Sequence, residues 1–250
     1  MSSPNPSPDK GSLVLRLMIF IGLVNLAEGL GQVGGVISQP LTYFLKDALG
    51  WAPDQVTRYL ALLIIPWIIK PIYGLLSDFL PIGGYRRRPY LIISNLMAVG
   101  GFLWITGLTA PTQILIALYI TAFGMAASST ITEAVMVENG NALGMSGKFL
   151  NAQWLWFNIA SVCASLGGGW LAQHFQPGTA SHTAAWIAAF VPLGVIFGTW
   201  FLVPEEKKKI EPPKRDLQVL KSIFKDPKMW AAAGFLFVWN IVPSFGKITL

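Results

Sequence analysis

Of 250 residues, 53% are hydrophobic and 12% charged, about half the charge of an ordinary soluble domain, and the mean hydropathy is +0.55. The net charge of +6 does not read as a nucleic-acid footprint, because the basic residues stand in short clusters between long apolar runs and form no basic face. Cys163 is the single cysteine, which excludes an internal disulfide framework and a cysteine-based metal site; inside its apolar run it reads as a small helix-packing residue.

Residues 1–12, M-S-S-P-N-P-S-P-D-K-G-S, are polar and rich in Pro and Ser, and are expected to form a disordered tail. The apolar run behind them is too long for the core of a cleavable signal. A bilayer core about 30 Å thick takes about 20 helical residues to cross. Apolar runs of that order predict spans near 13–36, 57–77, 90–109, 112–137, 150–173 and 184–203. A seventh begins at 229 and ends with the sequence at Leu250. The expected organisation is an all-α membrane protein: a six-helix lobe over 13–203, a charged linker over 204–228 and an incomplete seventh helix over 229–250.

Orientation follows from basic residues in the loops. With the N-terminus inside, the inner segments hold Lys10, Arg16, Arg86, Arg87, Arg88, Lys148 and the eight basic residues between Pro204 and Lys228. The outer side receives Lys46, Arg58 and Lys247, and Lys70 is embedded. A multi-pass protein with a cytoplasmic N-terminus is therefore expected, in a bacterial inner membrane for want of a targeting extension. The linker is cytoplasmic on this reading, and 217–224 is a candidate surface helix that sets topology or meets anionic headgroups.

Polar groups inside hydrocarbon are costly, about 2.5–3.5 kcal/mol per central charge on insertion scales, so their placement is informative. Asn25, Glu28 and Gln32 share one face of the first span; Tyr59, Pro66, Lys70, Tyr73 and Ser77 share a face of the second. Ser129 and Glu133 stand four apart on the fourth, and Asn151, Trp154, Asn158, Ser161 and Ser165 repeat at three-four spacing on the fifth. Spans one, two, four and five thus face a polar interior, while three and six face lipid. This division, two threes in a six, is that of transporters built from inverted repeats. Glu28 reads either as a packing hydrogen-bond group or as a proton- or solute-binding carboxylate. Lys70 reads as the counter-charge of Glu28 or Glu133, or as a contact for an anionic solute. Glu138 reads as a solvated or loop-anchoring group, and the series Ser161, Ser165, Gly167, Gly168 and Gly169 as a close helix approach. His174 and His182 read as exposed loop residues with no metal-ligand partner, and neither metal nor cofactor is expected.

The most specific stretch is K-P-I-Y-G-L-L-S-D-F-L-P-I-G-G-Y-R-R-R-P-Y, Lys70 to Tyr90. Gly74 would admit a close helix approach, Asp78 would end the helix, and Gly83 and Gly84 would permit a sharp turn. G-x-x-x-D followed by arginines resembles the inner loop between the second and third helices of the major facilitator superfamily. With K-P-x-Y before it and R-R-R-P-Y closing it, the stretch is similar to the folate–biopterin transporter family. F-L-K-D-A-L-G-W (44–51) and E-A-V-M-V-E (133–138) resemble that family's first outer loop and fourth helix. Ser129 and Asn139 depart from its usual aspartate and arginine.

The resemblance implies a secondary transporter of a small, anionic, folate- or pterin-like solute, working by alternating access with proton coupling. On that resemblance Lys70 and Glu133 would sit near the solute path and Gly74, Asp78, Arg86, Arg87 and Arg88 would form the inner gate, while the polar helix faces add Glu28, Gln32, Tyr73 and Asn158 as candidate solute- or ion-binding residues. It also implies about twelve helices in a complete member, so a truncated chain lacking its second half is expected, inactive alone or pairing with that half. The alternative is a receptor or assembly factor on the same scaffold. No H-E-x-x-H, G-x-S-x-G or phosphate-cradling motif supports an enzyme.

Overall fold

Apolar runs of this length have one way to satisfy their backbone in lipid, as helices, and the computed structural model follows it. It describes residues 10–32 and 34–205, together with Pro227, Trp230, Ala231 and Gly234. The chain divides into two units, Met1–Lys208 and Lys209–Leu250; of the second, the four isolated residues are helical and exposed. The expected tail, nearly all of the linker including 217–224, and the expected seventh helix lie outside the described residues.

Among the described residues six helices are long and apolar enough to cross a membrane. The first is α1 (Lys10–Gly31); α2 (Ser38–Tyr43) and a π-helical turn (Phe44–Ala48) lead to the second, which is built of α3 (Pro53–Leu62), α4 (Ile65–Ile68) and α5 (Lys70–Phe79). The remaining four are α6 (Arg88–Ile105), α7 (Pro111–Leu143), α8 (Ser146–His174) and α9 (Pro177–Leu202).

Several boundaries differ from the sequence expectation, and two of them are instructive. The first span ends at Gly31 rather than 36, because a turn closed by Gly35 N to Gln32 O and Val36 N to Leu30 O sends the chain into α2. Val36 and Ile37 are buried as the chain enters α2, so the apolar tail of that run packs in the protein instead of crossing. The sixth span begins at Pro177, seven residues before the expected 184, since the G-T-A-S-H-T start is polar yet helical behind a proline at its first turn. His182 is therefore a half-buried helix residue with Nε2 2.9 Å from Leu108 O, not an exposed loop residue, while His174 ends α8 stacked on Trp170. Cys163 also departs from its reading: it is exposed on α8 rather than packed.

The helices pack chiefly as first with fifth, first with sixth, third with fourth, third with sixth, and second with fourth. Exchanging the first three spans for the last three maps these pairings onto one another, as two repeated triplets require. The third and sixth spans turn aromatic side chains outward, with Phe190, Phe197, Trp200 and Phe201 about two-thirds exposed, and keep Asn95 inward, where its Nδ2 donates to Ser128 Oγ at 2.8 Å. Spans two and five are the least buried, at 17% and 22% against 39–61% for the others. Gly168 shows why the small-residue series is small: a Cβ there would stand 2.7 Å from Val36 O.

Candidate functional site

The second span is broken at the point where its lysine enters. Pro66 and Pro71 lack the N–H groups that would bond the carbonyls of Leu62 and Trp67, so the helix is interrupted after Leu62 and again at Ile69. Tyr119 of α7 satisfies the Leu62 carbonyl, its hydroxyl donating to Leu62 O at 2.9 Å; at the second break Tyr73 donates to Pro66 O at 3.0 Å. Tyr73 also sets its ring edge-on to Phe123, so its half-buried hydroxyl is engaged in holding the break. Irregular backbone at membrane depth is tolerated where it is buried in protein or lines a cavity.

Lys70 opens the helix after the second break. Its ammonium donates to Ser129 Oγ and to Glu133 Oε1, both at 3.0 Å, and stands 5.2 Å above the Trp67 ring. The ion pair is only partly covered, with side-chain exposures of 26% for Lys70 and 41% for Glu133. Ser129 and Glu133 meet because α7 places residues four apart on one face. Glu28 of α1 comes to the same place: with Asn25, Ser129, Thr132, Glu133 and Gln153 it lines a narrow crevice between α1, α7 and α8. There its carboxylate shares the crevice wall with Ser129 and Glu133. Ser129 Oγ also lies 3.4 Å from Glu133 Oε1. The hydroxyl thus accepts from Lys70 and turns its own proton toward Glu133. One ammonium is paired with Glu133, and a second carboxylate, Glu28, lines the adjoining crevice.

The remaining sequence candidates stand apart. Gln32 follows the last residue of α1, half-buried, its N–H donating to Glu28 O. Asn158 is exposed on α8 and donates to Trp154 O of its own helix at 2.6 Å; Gln153 is the residue of α8 that lines the Glu28 crevice. Thr132 was not singled out by sequence. Among the described residues its buried Oγ1 has no hydrogen-bond partner, and its side chain lines the same crevice. The signal was present in its place beside the Ser129–Glu133 pair, but threonine is common in apolar helices and rarely stands out. Among the described residues no three His, Cys, Asp or Glu are grouped to hold a metal.

At the end of the bundle bearing the arginine triplet, Arg87 is 6% exposed and held on several sides. Its guanidinium donates to Ser77 Oγ at 2.5 Å and pairs with Asp78 at 2.7 Å and Glu138 at 2.6 Å. Glu138 is thus a loop-anchoring group. Gly83 and Gly84, at φ of +62° and +85°, close a two-residue turn in which Ile82 and Tyr85 exchange backbone hydrogen bonds. Gly74 is less constrained than its reading suggests, since a Cβ there would meet only Thr130 Cγ2 at 3.7 Å, an ordinary contact. Glu205, beyond the sixth span, accepts from the backbone N–H groups of Arg86, Arg87 and Arg88. The sequence gives no sign of that pairing across more than a hundred residues. A cavity of about 160 Å³ opens here, lined by Arg86, Arg87, Glu138, Asn139 and Glu205 among others.

The arginine-bearing loop and the Lys70–Ser129–Glu133 contact both lie within the stretch that one family model matches. A model of the BT1 family matches residues 31–246. The chain belongs to the BT1 family. Three relatives fit this membership. The folate-biopterin transporter of Synechocystis is 29% identical over 84% of this chain and 43% of its own length. The probable folate-biopterin transporter 6 of Arabidopsis thaliana is 26% identical over 90% and 46%. Folate transporter 1 of Plasmodium falciparum is 24% identical over 83% and 41%. The chain spans less than half the length of these relatives. Like the BT1 proteins it resembles, and with six apolar helices able to cross a bilayer, it is an integral membrane protein.

Proposed function

We propose that this chain forms one lobe of a secondary transporter that carries a small anionic, folate- or pterin-like solute by alternating access with proton coupling. The observation that carries the reading is the Lys70–Ser129–Glu133 contact beside Glu28, an ionisable group at a broken helix within a membrane lobe. Such groups mark solute and ion paths, because their desolvation is otherwise uncompensated. In this mechanism Lys70 exchanges its Glu133 partner for the anionic solute, the freed carboxylate takes a proton, and Ser129 shifts its hydroxyl between Glu28 and Glu133. Asp78, Arg87 and Glu138 act as the inner gate. The cytoplasmic N-terminus rests on the bias of basic residues toward one set of loops. The low burial of spans two and five suits pairing with a second six-helix lobe, which would complete the path.

Uptake of labelled folate or pterin into proteoliposomes holding the full-length protein tests this. Uptake is expected to rise when the outside is acidified, to lose that response in Glu28→Gln or Glu133→Gln, and to lose affinity for the anion in Lys70→Met. Uptake in these variants with unchanged pH response removes the carboxylates from the coupling role. No uptake by the native protein, with recovery of a bound protein partner instead, favours a non-transporting assembly role.

A further inference from the structure

The residues just past the sixth span are bonded to the arginine triplet more closely than a solvated linker requires. Glu205 Oε1 accepts from the N–H groups of Arg86 and Arg87, and its Oε2 from that of Arg88, the last two at 2.8 Å. Two residues earlier, Val203 O accepts from Nε and Nη2 of Arg88. Five hydrogen bonds therefore join residues 203–205 to residues 86–88. The chemistry is well matched. The first turn of α6 begins at Arg88 and exposes N–H groups that its own helix cannot satisfy, and its positive end favours a carboxylate.

Arg87 makes this more than a cap. Its backbone N–H is held by Glu205, while its guanidinium is held by Ser77, Asp78 and Glu138 from the second and fourth spans. One residue thus bridges the segment leaving the sixth span and the ion-pair group of the proposed gate. Movement of the backbone at 86–88 must drag a nearly buried guanidinium out of three partners, or leave it behind at the cost of strain.

We infer that Glu205 is a positioning residue: it straps the segment leaving the sixth span onto the arginine triplet, so that the Arg87 ion-pair group loosens as residues 203–205 lift away. Any pull on the following chain then acts on the gate. This rests on the reading of Arg87 as a gate residue and not on the identity of the solute, so its test uses no transport.

In the full chain with Cys163 replaced by Ala, a reporter Asn139→Cys lies on the cavity shared by Arg87, Glu138 and Glu205. Its rate of reaction with a hydrophilic maleimide in detergent reads how far the group is loosened, with thermal unfolding measured in parallel. Glu205→Gln and Glu205→Ala are each expected to speed labelling about fivefold, the scale of losing a charged acceptor at a helix start. Glu205→Asp recovers part of the slow rate. Arg87→Ala speeds labelling too, and adding Glu205→Ala to it brings no further increase. Glu205→Gln keeps the size of the side chain, so it remains informative where Glu205→Ala fails to fold. An unchanged labelling rate in Glu205→Gln, or an effect that simply adds to that of Arg87→Ala, overturns the inference and leaves Glu205 as a helix cap.

Discussion

Lys70 of the second span and Glu133 of the fourth meet at 3.0 Å, with Ser129 at the same distance from the ammonium. Removing one partner of such a pair leaves the other uncompensated. Because both side chains are partly exposed, the loss is expected at about 1–3 kcal/mol, below the 3–5 kcal/mol typical of fully buried pairs. Lys70→Met and Glu133→Gln should each lower thermal stability in detergent by that amount, and the double variant by less than the sum. Strictly additive losses would mean that the two charges do not rely on each other.

Tyr119→Phe removes a single oxygen and leaves Leu62 O, freed by Pro66, without its donor. The bond is exposed on the lobe, so the cost is expected at about 0.5–1.5 kcal/mol, that of an ordinary hydrogen bond. Thermal unfolding of the variant checks this; a melting point equal to the parent's would show that the break in the second span is held by other groups.

Thr132→Val runs the other way. The hydroxyl it deletes is buried and has no partner among the described residues, so stability should hold or rise by up to about 1 kcal/mol. If the hydroxyl serves the solute or its water, KM for uptake rises while the fold is unaffected. Lost stability would reveal a hydrogen bond inside the lobe.

The glycines of the loop after the second span separate by φ. Gly83→Ala forces a side chain into the left-handed region at +62° and should cost about 1–2 kcal/mol, measured by unfolding. Gly74→Ala adds a methyl into ordinary contact distance and should leave stability unchanged. Equal losses at both positions would contradict this account of the turn.

Hydropathy made the six spans legible, because crossing length and burial of backbone groups leave little else for such runs. It failed where chain geometry departs from hydropathy: at Gly31, where the helix stops while apolar residues continue, and at Pro177, where it starts among polar ones. Three-four spacing placed Glu28, Lys70 and Glu133 on inward faces, but it spoke only of each helix separately. That Glu133 meets Lys70 depends on how two helices are rotated and on the break at Ile69. The same limit hid Gln153 behind Asn158, since both lie on α8 and only packing tells them apart. Glu205 was out of reach for a different reason: its partners are backbone N–H groups, which carry no sequence signature.

Site-directed labelling tests the central claim most directly. With Cys163 replaced by Ala, single cysteines at Glu28, Lys70 and Glu133 are exposed to a charged, membrane-impermeant thiol reagent in sealed vesicles of the full-length protein, with Phe197→Cys as the outward-facing control. The account predicts that the three polar positions react, that folate or pterin slows the reaction, and that Phe197→Cys stays inert. Reaction at none of the three, or no protection by either solute, would contradict it.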